Sequence, residues 1–322
     1  MSKISIAPML DCTDKYFRYF IRKITKKSLL FSEMIVSDSI IHGDQQKILS
    51  FDAIENPVAV QIAGSNPINL GLATKICQSY GYSEINLNVG CPSDRVKSGN
   101  FGACLMLKPE LVSDCIKSML DNTSLPVSIK HRIGIDYNEE YNFLSDFVGQ
   151  ISDCGCKKFI IHSRNAILKG LSPKQNREIP RLKYDYVYRL KSEFPDLEII
   201  INGGIKTLQD IDKHFNHVDG VMIGREAYDN PFMLKDIDNI YFSDPVNQIN
   251  RIDIAISMID YLSYLMSSNI KLMKVTRHMA GLFYGCHNAK FWRNSLINQI
   301  PKTNSIDTYL DALKFMSHNE KL

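Results

Sequence analysis

Residues 57–91, "PVAVQIAGSNPINLGLATKICQSYGYSEINLNVGC", hold the pattern on which the fold turns. The run opens with an apolar segment, 57–64, of strand length. A helix-like stretch, 67–80, follows. It closes on 84–90, where apolar and polar residues alternate as in a β-strand. Strand, helix and strand in this order make a βαβ unit, whose strands lie parallel. At its end Gly90, Cys91 and Pro92 break the strand, and a charged loop with Asp94, Arg95 and Lys97 begins.

The same rhythm extends in both directions. Strand-like runs occur at "ISIAPML" (4–10), "LLFSEMI" (29–35), "PVSIKHRIG" (126–134), "KFIIHSR" (158–164), "LEIIINGG" (197–204) and "GVMIGREA" (220–227), which with the two above make eight. Helix-like stretches lie between most of them, at 15–25, 109–121, 139–153 and 183–194. Pro109 and Glu110 suit a helix's first turn. Eight βα units predict a TIM (β/α)8 barrel, a fold of about 250 residues. A doubly wound sheet would want G-x-G-x-x-G after its first strand, and "APMLDCTDKYF" has none. Beyond residue 240 the pattern becomes helical, at 249–266, 272–284 and 306–316. The expected division is a barrel domain, 1–240, and a small C-terminal all-α domain, 241–322, with Asp244-Pro245 at the break.

Composition narrows the function classes. The 322 residues are 44% hydrophobic, enough for a full core, and the net charge is only +3. Residues 250–322 carry nine Lys/Arg against five Asp/Glu, so the positive excess sits in the last quarter, which suits a polyanionic partner and equally a solvated helix face. None of the eight cysteines forms a C-x-x-C pair, so zinc-ribbon and thioredoxin readings fail and no metal is expected. Asp11 comes too early for a secretory signal. No run approaches about 20 apolar residues. The expectation is a cytoplasmic protein without a membrane segment.

In a TIM barrel the active site lies at the C-terminal ends of the strands. Those ends supply Pro8-Met9-Leu10, Gln61, Asn88 with Cys91, Lys130 with Arg132, His162 with Arg164, Asn202-Gly203-Gly204 and Gly224-Arg225. Each alone has a structural reading: His162 as a core histidine, Lys130 as a solvated head on an apolar stem. Their coincidence at one rim argues for a site. Consecutive glycines let backbone N–H groups approach an anion, and loops after strands seven and eight often hold phosphate. Arg225 adds a cationic fork. Gln61 matches an amide-like ring edge, and Lys130 suits a ring that gains negative charge on reduction, as flavin mononucleotide does near N1. A sugar phosphate would want more carboxylates than Glu33 and Glu226 at such a rim.

The sequence also resembles the tRNA-dihydrouridine synthases, the A subfamily most closely. The stretches that carry the likeness are "APMLDCTDKYFR", "PVAVQIAG", "INLNVGCPSDRVKSGNFGACLM", "SIKHRIGID", "IHSRNAILKGLSPKQNREIPRLKY", "IINGGI", "GVMIGREAYDNP" and "TRHMAGLFYGCHNAKFWRNSL", from about residue 4 to 316. The resemblance implies an FMN-containing barrel, a helical domain that holds tRNA, and NADPH-driven reduction of the uracil C5=C6 bond at D-loop positions 20 and 20a. It implies FMN contacts from Pro8, Met9, Leu10, Gln61, Lys130, His162, Asn202, Gly203, Gly204, Gly224 and Arg225, and Cys91 as proton donor. It places tRNA contacts at Asn88, Arg177, Lys290 and Arg293. It implies no protein partner, and a monomer is expected. The sequence departs from the family at Cys286, His287 and Asn288, where a Pro/Gly-like turn is usual, and at Lys290, where arginine is usual. Lysine keeps the charge but loses the planar fork.

The chemistry of the residues agrees. Hydride adds at C6 of a uracil conjugated to its C4 carbonyl, and C5 then needs a proton. A cysteine thiol, with a reference pKa near ~8.5, is mostly protonated at neutral pH and serves as the acid. A base stacked in folded tRNA must be extruded to be reached, and Arg277, Lys290 and Arg293 form a basic clamp. Trp292 between them reads as a core residue of the helical domain, and Cys104 as a packing cysteine. Two other readings are a flavin barrel acting on a free pyrimidine, like the dihydroorotate dehydrogenases, and a non-catalytic tRNA-binding protein.

Overall fold

The computed structural model describes residues 4–93, 99–246 and 248–319. Asp94, Arg95 and Lys97, which open the loop after Cys91, lie outside the described residues. Eight parallel strands close into a barrel in sequence order. They are β1 (Ile4–Ile6), β2 (Leu29–Val36), β3 (Val58–Ala63), β4 (Glu84–Val89), β5 (Val127–Arg132), β6 (Lys158–His162), β7 (Glu198–Asn202) and β8 (Gly220–Ile223). Closure comes from β1 and β8, which pair Ile4 with Val221 and Ser5 with Met222. The TIM-barrel expectation is met, with every strand except β2 shorter than its apolar run.

The alternation in β4 has a different cause from the one its pattern suggests. All six residues of Glu84–Val89 are buried. A barrel strand has no solvent face; one side meets the outer helices and the other the interior. On the outward side of β5, His131 packs its ring against Phe147 of the helix Tyr141–Asp153. On the inward side Ala7, Leu29, Phe31, Ala59, Ile160, Ile200 and Met222 form an apolar cluster. Polar residues on the inward side therefore have to find partners within the protein.

Local signals explain the helices. Asn66 accepts the Asn69 N–H at 3.1 Å and Pro67 occupies the first turn, which starts the helix Pro67–Gln78. Gly71 on that helix allows the helix Pro109–Asp121 to pack close, since a Cβ there would sit 2.5 Å from Ser118 Oγ. A register shift between Phe31 and Met34 disturbs the β2–β3 pairing, and there Ser32 Oγ takes the Gln61 N–H at 3.0 Å.

A second compact unit consists of residues 11–28, 52–55 and 225–322, so the first helix, Lys15–Arg22, groups with the C-terminal helices. Asp14 caps that helix through the Tyr16 and Phe17 N–H groups and accepts Arg277 Nη2 at 2.8 Å. Arg18 pairs with buried Glu55 at 2.7 Å, and Arg22 Nε donates to the Glu55 carbonyl at 2.9 Å. The helical run expected over 249–266 is two helices, Arg251–Ile256 and Ile259–Ser267. Trp292 is fully buried among Phe283 and Tyr309, and its Nε1–H donates to Met279 O at 2.9 Å. The core reading of this tryptophan holds. Trp292→Ala is expected to cost about 3–5 kcal/mol through the cavity and the orphaned carbonyl, measured by urea unfolding.

Candidate active site

Cys91 leaves β4 as the most constrained residue of the rim. Its N–H and that of Gly90 both donate to Asn88 Oδ1 at 3.1 Å. Its carbonyl accepts the Ala103 N–H at 2.9 Å. The Gly90 carbonyl accepts Arg132 Nε at 3.2 Å. The backbone is held on each side, and the half-buried thiol donates to Ser93 Oγ at 3.4 Å.

Parallel registers set the remaining groups side by side. Gln61 lies opposite Asn86, Asn88 opposite Lys130, Arg132 opposite His162 and His162 opposite Asn202. Gln61 Nε2 donates to Asn86 Oδ1, and Asn88 Nδ2 to Gln61 Oε1, both at 2.7 Å. Lys130 Nζ donates to Asn202 Oδ1 at 3.2 Å, and Asn202 Nδ2 to the Met222 carbonyl at 2.7 Å. Asn88, placed among the tRNA contacts by resemblance, is 8% exposed and uses both ends of its amide inside the barrel.

The electrostatics of the rim are one-sided. Burial, with Arg132 beside it, pushes the Lys130 ammonium down to about 7, partly opposed by Cys91. His162 is driven well below the usual imidazole range by burial and then by Arg132, Lys130, Arg164 and Arg177. Four cations thus act on one neutral imidazole. Arg132 is a brace as well: Nη1 donates to Asn165 O at 3.0 Å and Asn176 O at 2.9 Å, fastening the loop after β6. Arg177 lies in that loop and is exposed.

After β7, Gly203 and Gly204 adopt φ of +116° and +75°. A Cβ on Gly203 would sit 2.6 Å from His162 Cδ2, and the Gly203 carbonyl accepts Tyr184 Oη at 2.7 Å. At Gly224 a Cβ would meet nothing within 4 Å, so the backbone there borders open space. Pro8 and Met9 are half-buried and Leu10 is 56% exposed after β1.

The other expected site residues belong to the second unit. Arg225 follows Gly224 in the chain and opens the helix Arg225–Asp229. Lys290 and Arg293 are exposed, three residues apart on one face of the helix Ala289–Asn294. Arg293 lines a cavity of about 170 Å³ with Tyr228, Met273, Arg277 and Ile297. Among the described residues no cluster of His, Cys, Asp or Glu could hold a metal ion, and no helix is long and apolar enough to cross a membrane.

Sequence reading missed Glu84, Asn86, Ser128 and Lys158, which continue the Gln61–Asn88 contacts toward the barrel floor. The available signal was their period: each falls on the inward face of a strand that has no solvent face. The glycines give a direct contrast. Gly203→Ala is expected to lose about 1–3 kcal/mol through its left-handed backbone and to displace His162, whereas Gly224→Ala is expected to leave the urea midpoint nearly unchanged.

The chain matches the dihydrouridine synthase (Dus) family over residues 5–317. A tRNA-dihydrouridine(20/20a) synthase of Synechocystis sp. is 45% identical over 319 residues, 98% of this chain and 96% of its own. The protein of that name from Escherichia coli is 47% identical over 317 residues, covering 98% and 96%. That from Pseudomonas syringae is 45% identical over 315 residues, covering 98% and 94%. A match of this extent, on a closed eight-stranded barrel, makes the chain a member of the dihydrouridine synthase family of enzymes.

Proposed function

We propose that the protein reduces the C5=C6 bond of uridines in tRNA to 5,6-dihydrouridine, with FMN at the barrel rim and NADPH as reductant. The substrate uridines are D-loop positions 20 and 20a, the positions in the relatives' names. The single observation that carries the reading is Cys91, held by three backbone anchors on a cationic rim.

The rim residues fit FMN. The phosphate needs N–H groups and positive charge; Gly203 and Gly204 adopt left-handed backbone that turns the chain at this rim, and Gly224 borders open space. Arg225, next in the chain, is the cation proposed for the same phosphate. The ring edge needs adjoining donor and acceptor groups. Gln61 has one N–H and one lone pair beyond those it spends on Asn86 and Asn88. Lys130 and Asn202 add a cation and an amide, and Pro8, Met9 and Leu10 an edge of mixed exposure. His162, neutral in this field, contributes hydrogen bonds and no charge.

FMN held by these rim residues would supply the hydride chemistry that the reduction needs at C6 of the uracil, with NADPH as the proposed source of electrons. Cys91 delivers its Sγ–H proton to C5. The negative charge left on sulfur faces Lys130 and Arg132, the two cations whose protonation Cys91 favours. The base reaches this position only if extruded from the tRNA stack, so the RNA is held by shape and phosphate contacts. Arg177 on the barrel and Lys290 and Arg293 on the C-terminal helices are the proposed contacts, with 1–240 as catalytic domain and 241–322 as tRNA-binding domain. Asn88 acts through Cys91, by holding its turn.

Unmodified tRNA incubated with the protein, FMN and NADPH is expected to gain dihydrouridine in its D-loop by mass spectrometry. Cys91→Ala is expected to keep its flavin and lose at least about 100-fold in turnover, the scale of a lost general acid; an unchanged rate of tRNA-driven oxidation in this variant overturns the role. Lys130 gives a pH signature. An anionic ligand raises the ammonium's value above about 7. Its help to binding is complete below 7 and is lost as pH rises through the ligand-bound value. FMN affinity of the apoprotein is expected to fall as pH rises above about 7, and to stay nearly flat in Lys130→Met, by flavin fluorescence titration.

A further inference from the structure

Inward polar residues from β3, β4, β5 and β6 form a hydrogen-bonded line with one direction. Gly90 and Cys91 N–H donate to Asn88 Oδ1. Asn88 Nδ2 donates to Gln61 Oε1, and Gln61 Nε2 to Asn86 Oδ1. Asn86 Nδ2 donates to Ser128 Oγ at 2.7 Å, and Ser128 Oγ to Glu84 Oε1 at 2.6 Å. Glu84 Oε2 accepts Lys158 Nζ at 2.8 Å, and Lys158 also reaches Glu198 at 3.3 Å. Glu84, Asn86, Ser128 and Gln61 are each at most 4% exposed, so water does not substitute for any link.

Both ends of this line are chemically fixed. A backbone N–H only donates, and a carboxylate paired with lysine only accepts. An amide turned over anywhere between them would set NH2 against NH2 at one link and oxygen against oxygen at the next. One assignment of three amides and one hydroxyl satisfies every link. A neutral acceptor in place of Glu84 would remove that constraint, because a hydroxyl or carboxamide there could also donate.

We infer that Glu84, Ser128 and Asn86, braced by Lys158, are positioning residues that set the polarity of Gln61 and Asn88 and through them the site. At Gln61 this decides which side shows the spare N–H and which the spare lone pair. The group so displayed is complementary to an imide edge, N–H beside C=O, as in a pyrimidine or a flavin ring. At Asn88 it decides that oxygen, not nitrogen, faces the Cys91 turn. The inference deepens the proposed function and rests on it for the identity of the ligand, though not for the state of the Cys91 turn.

The test uses full-length apoprotein in three forms. Ser128→Ala cuts the line while leaving the Glu84–Lys158 pair. Ser128→Thr keeps the hydroxyl. Ile200→Val trims the apolar inner cluster and serves as a stability control. Hydrogen exchange across residues 85–93 is followed by mass spectrometry, and FMN affinity by fluorescence. Ser128→Ala is expected to speed exchange at Gly90 and Cys91 about tenfold and to weaken FMN about tenfold, the size of one lost buried hydrogen bond. Ser128→Thr is expected within about threefold of the parent in both, and Ile200→Val to leave both unchanged. Parent-like exchange and affinity in Ser128→Ala overturn the inference, as does equal damage in Ile200→Val or Ser128→Thr. A parent that shows the exchange pattern yet binds no FMN keeps the positioning role and removes the proposed cofactor.

Discussion

A closed barrel leaves no water to solvate polar side chains deep in its interior, and most of this molecule's functional geometry follows from that constraint. An unpaired buried amide costs about 1–3 kcal/mol, so Gln61, Asn86, Asn88 and Ser128 exist inside only because each meets another. The line they form ends on Glu84, whose charge is met by Lys158. Such a network is a liability when one member is missing and a source of rigidity when it is complete. Here it stands directly beneath the turn that carries Cys91.

Arg132 answers a second demand at the same place. The rim concentrates positive charge, with Lys130, Arg132, Arg164 and Arg177 all acting on His162. Unscreened cations in a low-dielectric setting repel one another, and the depressed ammonium of Lys130 records that repulsion together with burial. An anionic ligand relieves it. Arg132 escapes much of the penalty by spending its guanidinium on three carbonyls, those of Gly90, Asn165 and Asn176. The same side chain thereby links the Cys91 turn to the loop that carries Arg177.

Much of the architecture was legible in the residues. Eight strand-length runs separated by helical stretches led to eight parallel strands, and the helix over 109–121 begins and ends where its pattern does. The core reading of Trp292 in the helical domain also holds, since the side chain is fully buried. The run 249–266 was less legible, because its periodicity continues across the break between Ile256 and Ile259. The first helix looked like part of the barrel by sequence order and groups instead with the C-terminal helices. Contacts with residues far along the chain make that association: Phe17 with Tyr228 and His278, Tyr19 stacked on Tyr261, and Asp14 paired with Arg277.

The sequence by itself determined the strand count, the rim to which Cys91, Lys130, His162 and the Gly203-Gly204 turn are delivered, and the family. Strand period and the position of residues just past strand ends are local properties, written within five to ten neighbouring letters. Tertiary structure alone decided which polar residues pair. Gln61 and Asn86 are 25 residues apart, Ser128 and Glu84 44, Lys158 and Glu84 74. No local pattern encodes such contacts; they arise when parallel registers bring different strands level around a closed ring. The alternation of β4 was therefore visible from the start, but only the closed barrel made its polar letters the support of the turn that carries Cys91.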